Sequence, residues 1–473
     1  MAATLELVRK RIERAGTNGG EQLDRFATAL LGRADESLFE VFDGDALYAM
    51  AVDGLRFLRS LGNDQLKVQV YNPTFEADGW TSPYTVVRLV MRDRPFIVDS
   101  VQAELARQRL ELTNQLHPII DVKRDASGAL IDLEVDGADR AEAYEMFFVS
   151  RLAEHALAGL EARLTEVLTD VIRATDDYGT MREMARSVAQ QLVELEENSA
   201  DTEGAAGAAG AGDASKEEIA EYRAFMDWLD DDNYIFLGYR EYAILDSDGE
   251  KSLGTVHGSG LGILRDVGQS GYAEPVPLKL IPPQLRERVT SGRLLVVTKT
   301  NAEATVHRPR RMDYVGFKRL TADGEVVGER RFLGLFTGKA QSTPVGDIPI
   351  LRRKLRQVLE HDRAVPGSHD YKAIVAAFNS MPREDLFSSD AEQLHKDIRA
   401  ILSLEQERGA RLRIRPDPLK RGIGAMVVMP RESFNGEVRS AIQDFLQERL
   451  RATRVDYRLA LGEDQSHARF HFY

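Results

Sequence analysis

The fold is decided between Tyr84 and Val135, a stretch centred on the turn Arg92-Asp93-Arg94-Pro95-Phe96. An apolar run rich in β-branched residues precedes this turn, and the apolar residues after it have the spacing of one helix face. Leu110, Leu112 and Leu116 then alternate with polar residues and predict a half-buried strand. The hairpin turn Asp125-Ala126-Ser127-Gly128 follows, and the alternation resumes at Ile131, Leu133 and Val135, which predicts a second strand. The order strand, turn, helix, strand, strand is the skeleton of a small ligand-sensing module rather than of a catalytic domain.

Composition narrows the class of protein. The 473 residues suffice for roughly two to four domains of ~100–200 residues each. The formal net charge of −14 argues against nucleic acid or an anionic membrane as the main partner. No apolar run approaches the ~18–20 residues that cross a bilayer, and the chain has no cysteine, which excludes disulfides, thiolate catalysis and cysteine-ligated zinc. We expect a cytoplasmic, globular protein.

A segment rich in glycine and alanine divides the chain. No large apolar residue occurs from Glu196 to Glu218, and such a segment cannot bury enough apolar surface to offset its ordering entropy. The patterns on either side predict an α+β fold, with one sheet and helices on one face in the first domain. The predicted divisions are a helical segment (1–60), a first sheet-containing domain (61–175), a helix (176–195), a flexible linker (196–218), a second sheet-containing domain with its preceding helix (219–340), a helical segment (341–408) and a third sheet-containing domain (409–473).

Two details of the later domains are also predicted. The second domain begins with two short strands, Tyr234–Leu237 and Glu241–Leu245. The chain ends within an alternating run, His467 to Tyr473, whereas natural termini are usually polar and frayed. We therefore expect a fragment of a longer polypeptide, with the third domain truncated at its C-terminal strand.

The chain shows no catalytic motif. Gly258-Ser259-Gly260-Leu261-Gly262 has the wrong spacing for a dinucleotide site, and a strand-like run follows where a helix is needed. A phosphate-binding loop of the Gly-x-x-x-x-Gly-Lys-Ser/Thr type and a His-Glu-x-x-His motif are both missing. Asp230-Asp231-Asp232 is interpreted as a charged helix end. We predict no catalytic residue and no metal site.

One basic cluster is a candidate anion site. Arg308, Arg310 and Arg311 follow one another closely, and their guanidinium groups suit a phosphate or a carboxylate. The alternative is a solvated turn before the strand that begins at Met312.

The turn at Asp93 has the chemistry to bind an amino acid. A helix N-terminus presents unpaired N–H groups that attract a carboxylate, and the Asp93 side chain suits an ammonium group. The alternative is that Asp93 only caps the helix and Pro95 only starts it.

The segment Val87 to Phe96 followed by its helix resembles an ACT domain, a regulatory βαββαβ module that binds amino acids. Further motifs resemble the N-terminal region of the large bacterial NAD-dependent glutamate dehydrogenases, from about residue 20 to 473 except the linker. They begin at Pro95, Phe236, Met312, Arg331, Pro366, Arg415 and Pro430: PFIVDSV, FLGYREY, MDYVG, RFLGLFT, PGSHD, RPDP and PRESFN.

The resemblance implies three ACT-like modules, near 65–175, 234–340 and 410–473, joined by helical segments. It implies homo-oligomer contacts through these modules and a catalytic region C-terminal to this chain. The parent enzyme would oxidise L-glutamate to 2-oxoglutarate and ammonia with NAD as the hydride acceptor, while this chain itself would bind no cofactor.

The resemblance also implies an amino-acid effector, for which the candidate residues are Asp93, Arg94, Phe96 and Asn114. Many amino-acid-binding ACT domains have glycine where this chain has Phe96, because the ligand approaches the backbone closely. Phenylalanine there favours packing, which leaves assembly as an alternative role for the module.

Two hypotheses follow. The first is a regulatory and assembly region of a glutamate dehydrogenase, catalytically inactive alone. The second is a stand-alone, non-catalytic amino-acid-binding or scaffolding protein. The reading frame beyond Tyr473 distinguishes them, because only the first requires a dehydrogenase core in the same polypeptide.

Overall fold

The computed structural model describes residues 2–15, 19–198, 214–247, 249–290, 293–321, 325–405, 409–416, 422–453, 455, 457–461 and 467–473. The chain divides into two compact units. Unit 1 consists of Met1–Asp176 and Glu303–Arg310, and unit 2 consists of Asp177–Ala302 and Arg311–Tyr473. The centre of the predicted linker, 199–213, lies outside the described residues, and the domain boundaries remain predictions.

Unit 1 combines helices with one antiparallel sheet. Its helices are α1 (Ala2–Ala15), α2 (Gly20–Leu31), α3 (Glu36–Val41), α4 (Gly44–Arg59), α5 (Phe75–Asp78), α6 (Ile97–Arg107) and α7 (Glu154–Asp176). Its strands are β1 (Leu66–Tyr71), β2 (Thr85–Arg92), β3 (Leu112–Leu116), β4 (Ile119–Arg124), β5 (Leu130–Leu133) and β6 (Arg140–Val149). The strand order is β1-β2-β6-β4-β5, and β3 also pairs with β6.

The predicted hairpin turn lies between β4 and β5. The strand predicted before this turn, at Leu110 to Leu116, corresponds to β3, which pairs with β6, and β4 was not predicted. The Asp125 carboxylate accepts hydrogen bonds from the N–H groups of Ser127 (2.8 Å) and Ala129 (3.0 Å). This side chain therefore holds the tight turn, and Gly128 supplies the left-handed residue with a φ of 82°.

Helices cover both faces of the sheet in unit 1. Tyr144, Met146 and Phe148 of β6 share a core with apolar residues of α1 to α4. The intervening residue Glu145 faces the opposite side, where α6 begins and α7 packs on α6 and β1. The prediction of helices on one face is therefore wrong, because β2 and β6 are buried at both alternating sets of positions and need cover on both faces.

An ion pair lies inside unit 1. Arg88 Nη1 of β2 donates to Asp53 Oδ2 of α4 at 2.6 Å, and both side chains are buried. The guanidinium group is stacked between the rings of Phe57 and Tyr71, at 4.4 and 4.5 Å from their centroids. The pair therefore fixes α4 against the sheet.

Glu303–Arg310 completes unit 1 from far along the chain. Val306 is fully buried, the Thr305 hydroxyl donates to Asp170 of α7 (2.8 Å), and the His307 N–H donates to the Ser100 hydroxyl of α6 (2.9 Å). This segment is therefore a structural part of unit 1.

The described residues of unit 2 form two sheets and several helices. Its helices are α8 (Tyr178–Asn198), α9 (Lys216–Trp228), α10 (Pro283–Thr290), α11 (Gly338–Ser342), α12 (Leu351–His361), α13 (His369–Ser380), α14 (Arg383–Ser388), α15 (Ala391–Glu405) and α16 (Gly436–Leu450). Its strands are β7 (Tyr234–Ser247), β8 (Glu250–Thr255), β9 (Leu261–Gly262), β10 (Val276–Pro277), β11 (Leu295–Glu303), β12 (Arg311–Leu320), β13 (Val326–Phe336), β14 (Arg411–Pro416), β15 (Ile423–Pro430), β16 (Tyr457–Leu461) and β17 (His467–Phe472).

The larger sheet of unit 2 has the order β10-β8-β7-β13-β12-β11, with β9 on β7. The two short strands predicted at Tyr234–Leu237 and Glu241–Leu245 are one strand, β7, so that division is wrong. Arg240 interrupts the apolar pattern, yet it is buried because its guanidinium group donates to the carbonyls of Leu264 and Asp266.

The smaller sheet has the order β14-β15-β17-β16, with β14 at one edge. Residues of β15 and β17 share a core with α16. Asp397 of α15 pairs with Arg413 and Arg415 of β14 and so fastens this edge strand to the preceding helix. Leu412 and Ile414, which alternate with these arginines, are 45% and 48% exposed.

Candidate functional site

The turn between β2 and α6 has an unusual backbone. The Asp93 N–H donates to the Ala141 carbonyl (2.9 Å), and the turn ends at Phe96, the residue before α6, with a φ of 75°. No side chain caps α6, and Pro95 lies two residues before its first residue, Ile97. This disagrees with the alternative in which Asp93 caps the helix and Pro95 starts it.

A cavity of about 190 Å³ opens at the start of α6. This volume equals roughly six water molecules at ~30 Å³ each, so a small molecule would fill it. The residues that line it are Asp93, Arg94, Phe96, Ile97, Val98, Asp99, His117, Ile119 and Glu145.

Glu145 is the deepest ionisable group of this cavity. It lies on β6 opposite Leu89 of β2 and is only 3% exposed. Its Oε2 atom is buried without a hydrogen-bond partner. Burial, together with the nearby Asp93 carboxylate, raises the pKa of Glu145 to about 8. The side chain is therefore a neutral carboxylic acid at pH 7.

Asp93 stands at the mouth of the cavity. Its side chain is exposed and makes no hydrogen bond or ion pair within the part of the chain that the structure describes. The first N–H groups of α6, on Ile97 and Val98, have no acceptor inside the helix. The cavity thus combines acidic side chains with N–H groups at the positive end of a helix, which suits a small zwitterion.

Arg94 is engaged elsewhere. Its Nη1 atom donates to Asp176 (2.9 Å) and Thr175 (2.8 Å) and lies 3.3 Å from the Ile172 carbonyl, all at the end of α7. The guanidinium group fastens the turn to α7 and complements the negative end of that helix.

Asn114 does not join the cavity. It lies on β3, where its amide nitrogen donates to the Ser37 hydroxyl at 2.9 Å and its oxygen is buried without a partner. The structure therefore brings Asp93, Arg94 and Phe96 together and leaves Asn114 outside.

The basic cluster is split between different surroundings. Arg308 Nε donates to His307 Nε2 (2.9 Å), while His307 Nδ1 contacts the Asp99 carboxylate (2.8 Å). Arg311 Nε donates to the Thr300 carbonyl (2.9 Å), and the guanidinium group stacks on the Tyr473 ring. Arg310 is exposed, and an anion site on these arginines remains a prediction.

The acidic run and the glycine-rich segment have structural contacts. Asp230 pairs with Arg182 and Arg186. Within the described residues, no group of three or more acidic or histidine side chains has the arrangement to hold a metal ion. The Gly262 N–H donates to the Asp177 carboxylate (2.7 Å), and this glycine pairs with Gly238 as part of β9. The Asp177 carboxylate thus already accepts a hydrogen bond from a backbone N–H group that a pyrophosphate would need. This segment therefore does not fit NAD.

Sequence analysis missed Glu145, His117 and Ile119. A glutamate inside the apolar run Tyr144–Val149, at an inward position of the alternation, was the available signal for Glu145. His117 and Ile119 are exposed residues around the β3–β4 connection and gave no comparable signal.

Comparison with protein families now identifies the chain. Residues 26–164 match the model of the glutamate dehydrogenase ACT1 domain, residues 348–408 match helical motif 1 of glutamate dehydrogenase, and residues 411–473 match its ACT2 domain. The chain belongs to the N-terminal region of the large NAD-specific glutamate dehydrogenase family. The cavity beside Asp93 lies within the ACT1 match, and assignment of the middle sheet as a further ACT module remains a prediction.

Curated relatives agree with this assignment. NAD-specific glutamate dehydrogenase of Halomonas elongata is 33% identical over 89% of the chain, and that of Pseudomonas aeruginosa is 30% identical over 87%. The enzyme of the same name from Mycobacterium tuberculosis is 28% identical over 80%. The chain spans about a quarter of the length of the first two relatives, at 25% of each. None of the helices in the described ranges has the length and apolar character needed to cross a bilayer.

Proposed function

We propose that this chain is the regulatory and assembly region of a large NAD-dependent glutamate dehydrogenase. The parent reaction converts L-glutamate and NAD to 2-oxoglutarate, ammonia and NADH, and its catalytic core lies in another part of the polypeptide. The relatives' names and their greater length support this proposal. Purified chain mixed with L-glutamate and NAD should form no NADH. Formation of NADH would contradict the proposal that the catalytic core lies outside this chain.

The proposed regulatory role rests on the cavity at the start of α6. This cavity lies in the ACT1 match, and it places the acids Asp93 and Glu145 beside the first N–H groups of α6, which have no acceptor inside the helix. An α-amino acid presents an ammonium group and a carboxylate that complement these groups. Such an effector would shift the enzyme between two states by binding them with different affinity.

The proposed role in assembly rests on exposed apolar side chains at the edge of a sheet. Leu412 and Ile414 of β14 lie on the edge strand of the ACT2 sheet and are about half exposed. An unpaired edge with apolar side chains is a template for pairing with another copy. Contacts between copies of this chain would bury both the backbone edge and these two side chains.

Calorimetric titration of the full chain with each of the twenty amino acids tests the effector. We expect heat from at least one of them and a weaker affinity in Asp93→Asn. Asp136→Asn is the matched control, because Asp136 is an exposed acid of the same unit away from the cavity. An unchanged affinity in Asp93→Asn would exclude this cavity as the effector site.

A further inference from the structure

Glu145 occupies a position where an apolar residue would be expected. Its neighbours along β6, Tyr144 and Met146, point to the other face of the sheet, into the core shared with α1 to α4. On the adjacent strand β2, its partner in the pairing is the apolar residue Leu89. A carboxyl group buried in such a place needs a partner, yet Oε2 has none among the described residues. Because Glu145 lines the cavity, the missing partner has a place to bind.

The charged groups around Glu145 indicate that its missing hydrogen-bond partner is a cation. Arg94 is paired with Asp176, and Asp99 is in contact with His307. His117 lines the same cavity but is exposed to solvent. The two acids without a cationic partner are therefore Asp93 and Glu145, one at the mouth and one at the base. A cation that enters the cavity meets both.

We propose that Asp93 and Glu145 together bind the ammonium group of a small effector, and that Glu145 releases its proton when the ammonium group binds. This rests on the proposed function, since it assigns the ligand class and the proton balance of the same site. The O–H bond of the Glu145 carboxylic acid breaks, its proton passes to solvent, and the carboxylate accepts a hydrogen bond from the ammonium group. Nothing is oxidised or reduced.

The ionisation of Glu145 supports the proton balance. Its pKa is raised to about 8 by burial and by Asp93, and a bound ammonium group would lower this pKa again. Binding at pH 7 should therefore release up to about one proton. The affinity for the effector should rise with pH by up to about tenfold per unit between pH 6 and 8.

Matched probes separate the ammonium group from the rest of the ligand. L-alanine and L-lactate differ in that a hydroxyl group replaces the ammonium group, and L-aspartate and L-malate differ in the same way. The full chain is titrated with all four, and with the amino acid that gives the largest heat in the panel of twenty. Two buffers of different ionisation enthalpy report the number of protons released.

We expect amino acids to bind, hydroxy acids to bind at least about tenfold more weakly, and close to one proton to be released. Glu145→Gln should abolish proton release and weaken binding by about tenfold. Glu145→Met keeps the length without polar atoms and should weaken binding further. Asp136→Asn should change neither quantity. Circular dichroism verifies that each variant is folded.

The outcomes distinguish this inference from the broader proposal. If no amino acid gives heat, both the effector role and the role of Glu145 fail. If an amino acid binds but Glu145→Gln and Glu145→Met keep its affinity, the effector role stands and the role of Glu145 is overturned. Equal binding of a hydroxy acid, or no proton release in wild type, would also overturn it.

Discussion

The rings of Phe96 and His307 pack with their centroids 5.0 Å apart, and both residues have a left-handed backbone, with φ of 75° and 70°. Such a backbone costs of the order of 1–3 kcal/mol for a residue other than glycine. It persists where the surroundings hold it, and here each ring supports the other. Phe96, in the wall of the cavity at the start of α6, is therefore strained, and its position depends on the segment that contains His307.

Phe96→Gly should strengthen amino-acid binding several-fold. Glycine adopts this φ without strain and removes the ring that lines the cavity, so a ligand carboxylate can approach the N–H groups of α6. Phe96→Leu is the control, because it retains both a side chain and the strained backbone. Calorimetry measures both variants, and equal affinity of wild type and Phe96→Gly would contradict the expectation.

The stability of unit 1 should fall as the pH rises from about 5 to 8. Glu145 has a pKa raised from 4.5 to about 8 in the folded chain. Between these values the unfolded chain ionises Glu145 while the folded chain keeps it neutral, so unfolding is favoured progressively. Above pH 8 the loss is complete. Relative to Glu145→Gln, wild type should lose up to ~1.4 kcal/mol per pH unit across this window.

Trp80 fluorescence can measure this change in urea denaturation. Trp80 and Trp228 are the two tryptophans of the chain, and Trp80 is buried in unit 1. A Trp228→Phe background therefore makes the signal specific for unit 1. A difference between wild type and Glu145→Gln that stays constant from pH 5 to 8 would show that the carboxyl group titrates normally.

Breaking the Asp53–Arg88 pair should destabilise unit 1 strongly. Arg88→Met leaves the buried Asp53 carboxylate without its main partner, a change that costs about 3–5 kcal/mol. Arg56→Met is the matched control. Arg56 contacts the same carboxylate at 3.2 Å, but its side chain is 62% exposed, so its loss should cost below about 1 kcal/mol.

The double variant Asp53→Leu/Arg88→Met should recover much of the lost stability, since neither charge remains buried. Urea denaturation followed by circular dichroism measures all three variants. Similar losses for Arg56→Met and Arg88→Met would mean that burial does not decide the strength of this pair.

Ile414→Lys should weaken self-association if β14 forms the contact between copies. A lysine at an exposed edge position opposes strand pairing. Ile131→Lys is the control, because Ile131 is also half exposed and lies on β5, one of the two edge strands in the sheet of unit 1. Sedimentation velocity should show a smaller species for Ile414→Lys alone, and identical behaviour of both variants would exclude β14.

Local patterns predicted several elements of unit 1 but missed the strands β1 and β4. The apolar runs of β2 and β6, the helix spacing of α6 and the turn at Asp125 are all visible in neighbouring residues. The prediction failed at β7, where Arg240 resembled a break because its carbonyl partners lie more than twenty residues away. The prediction also failed for the helices on the second face of the sheet in unit 1. Whether both faces of a strand are buried depends on how the whole sheet is packed, which neighbouring residues do not show.

The candidate site shows the same limit. Asp93, Arg94 and Phe96 are neighbours in sequence, so one turn predicted them together. Glu145 joins them only through the pairing of β2 with β6. Asn114 had the right residue type, but its strand places its amide beside Ser37 instead.

The eight residues Glu303–Arg310 have a practical consequence for dissecting this protein. A fragment that stops at Asp176 contains every helix and strand of unit 1 yet lacks buried Val306 and the partners of Asp170 and Ser100. The surface that buries Val306 would then be exposed to solvent, and aggregation is the expected result. Fusing residues 303–310 to this fragment through a short linker should restore solubility. A fragment designed to contain unit 1 must therefore include residues that are distant in the sequence but packed within the unit.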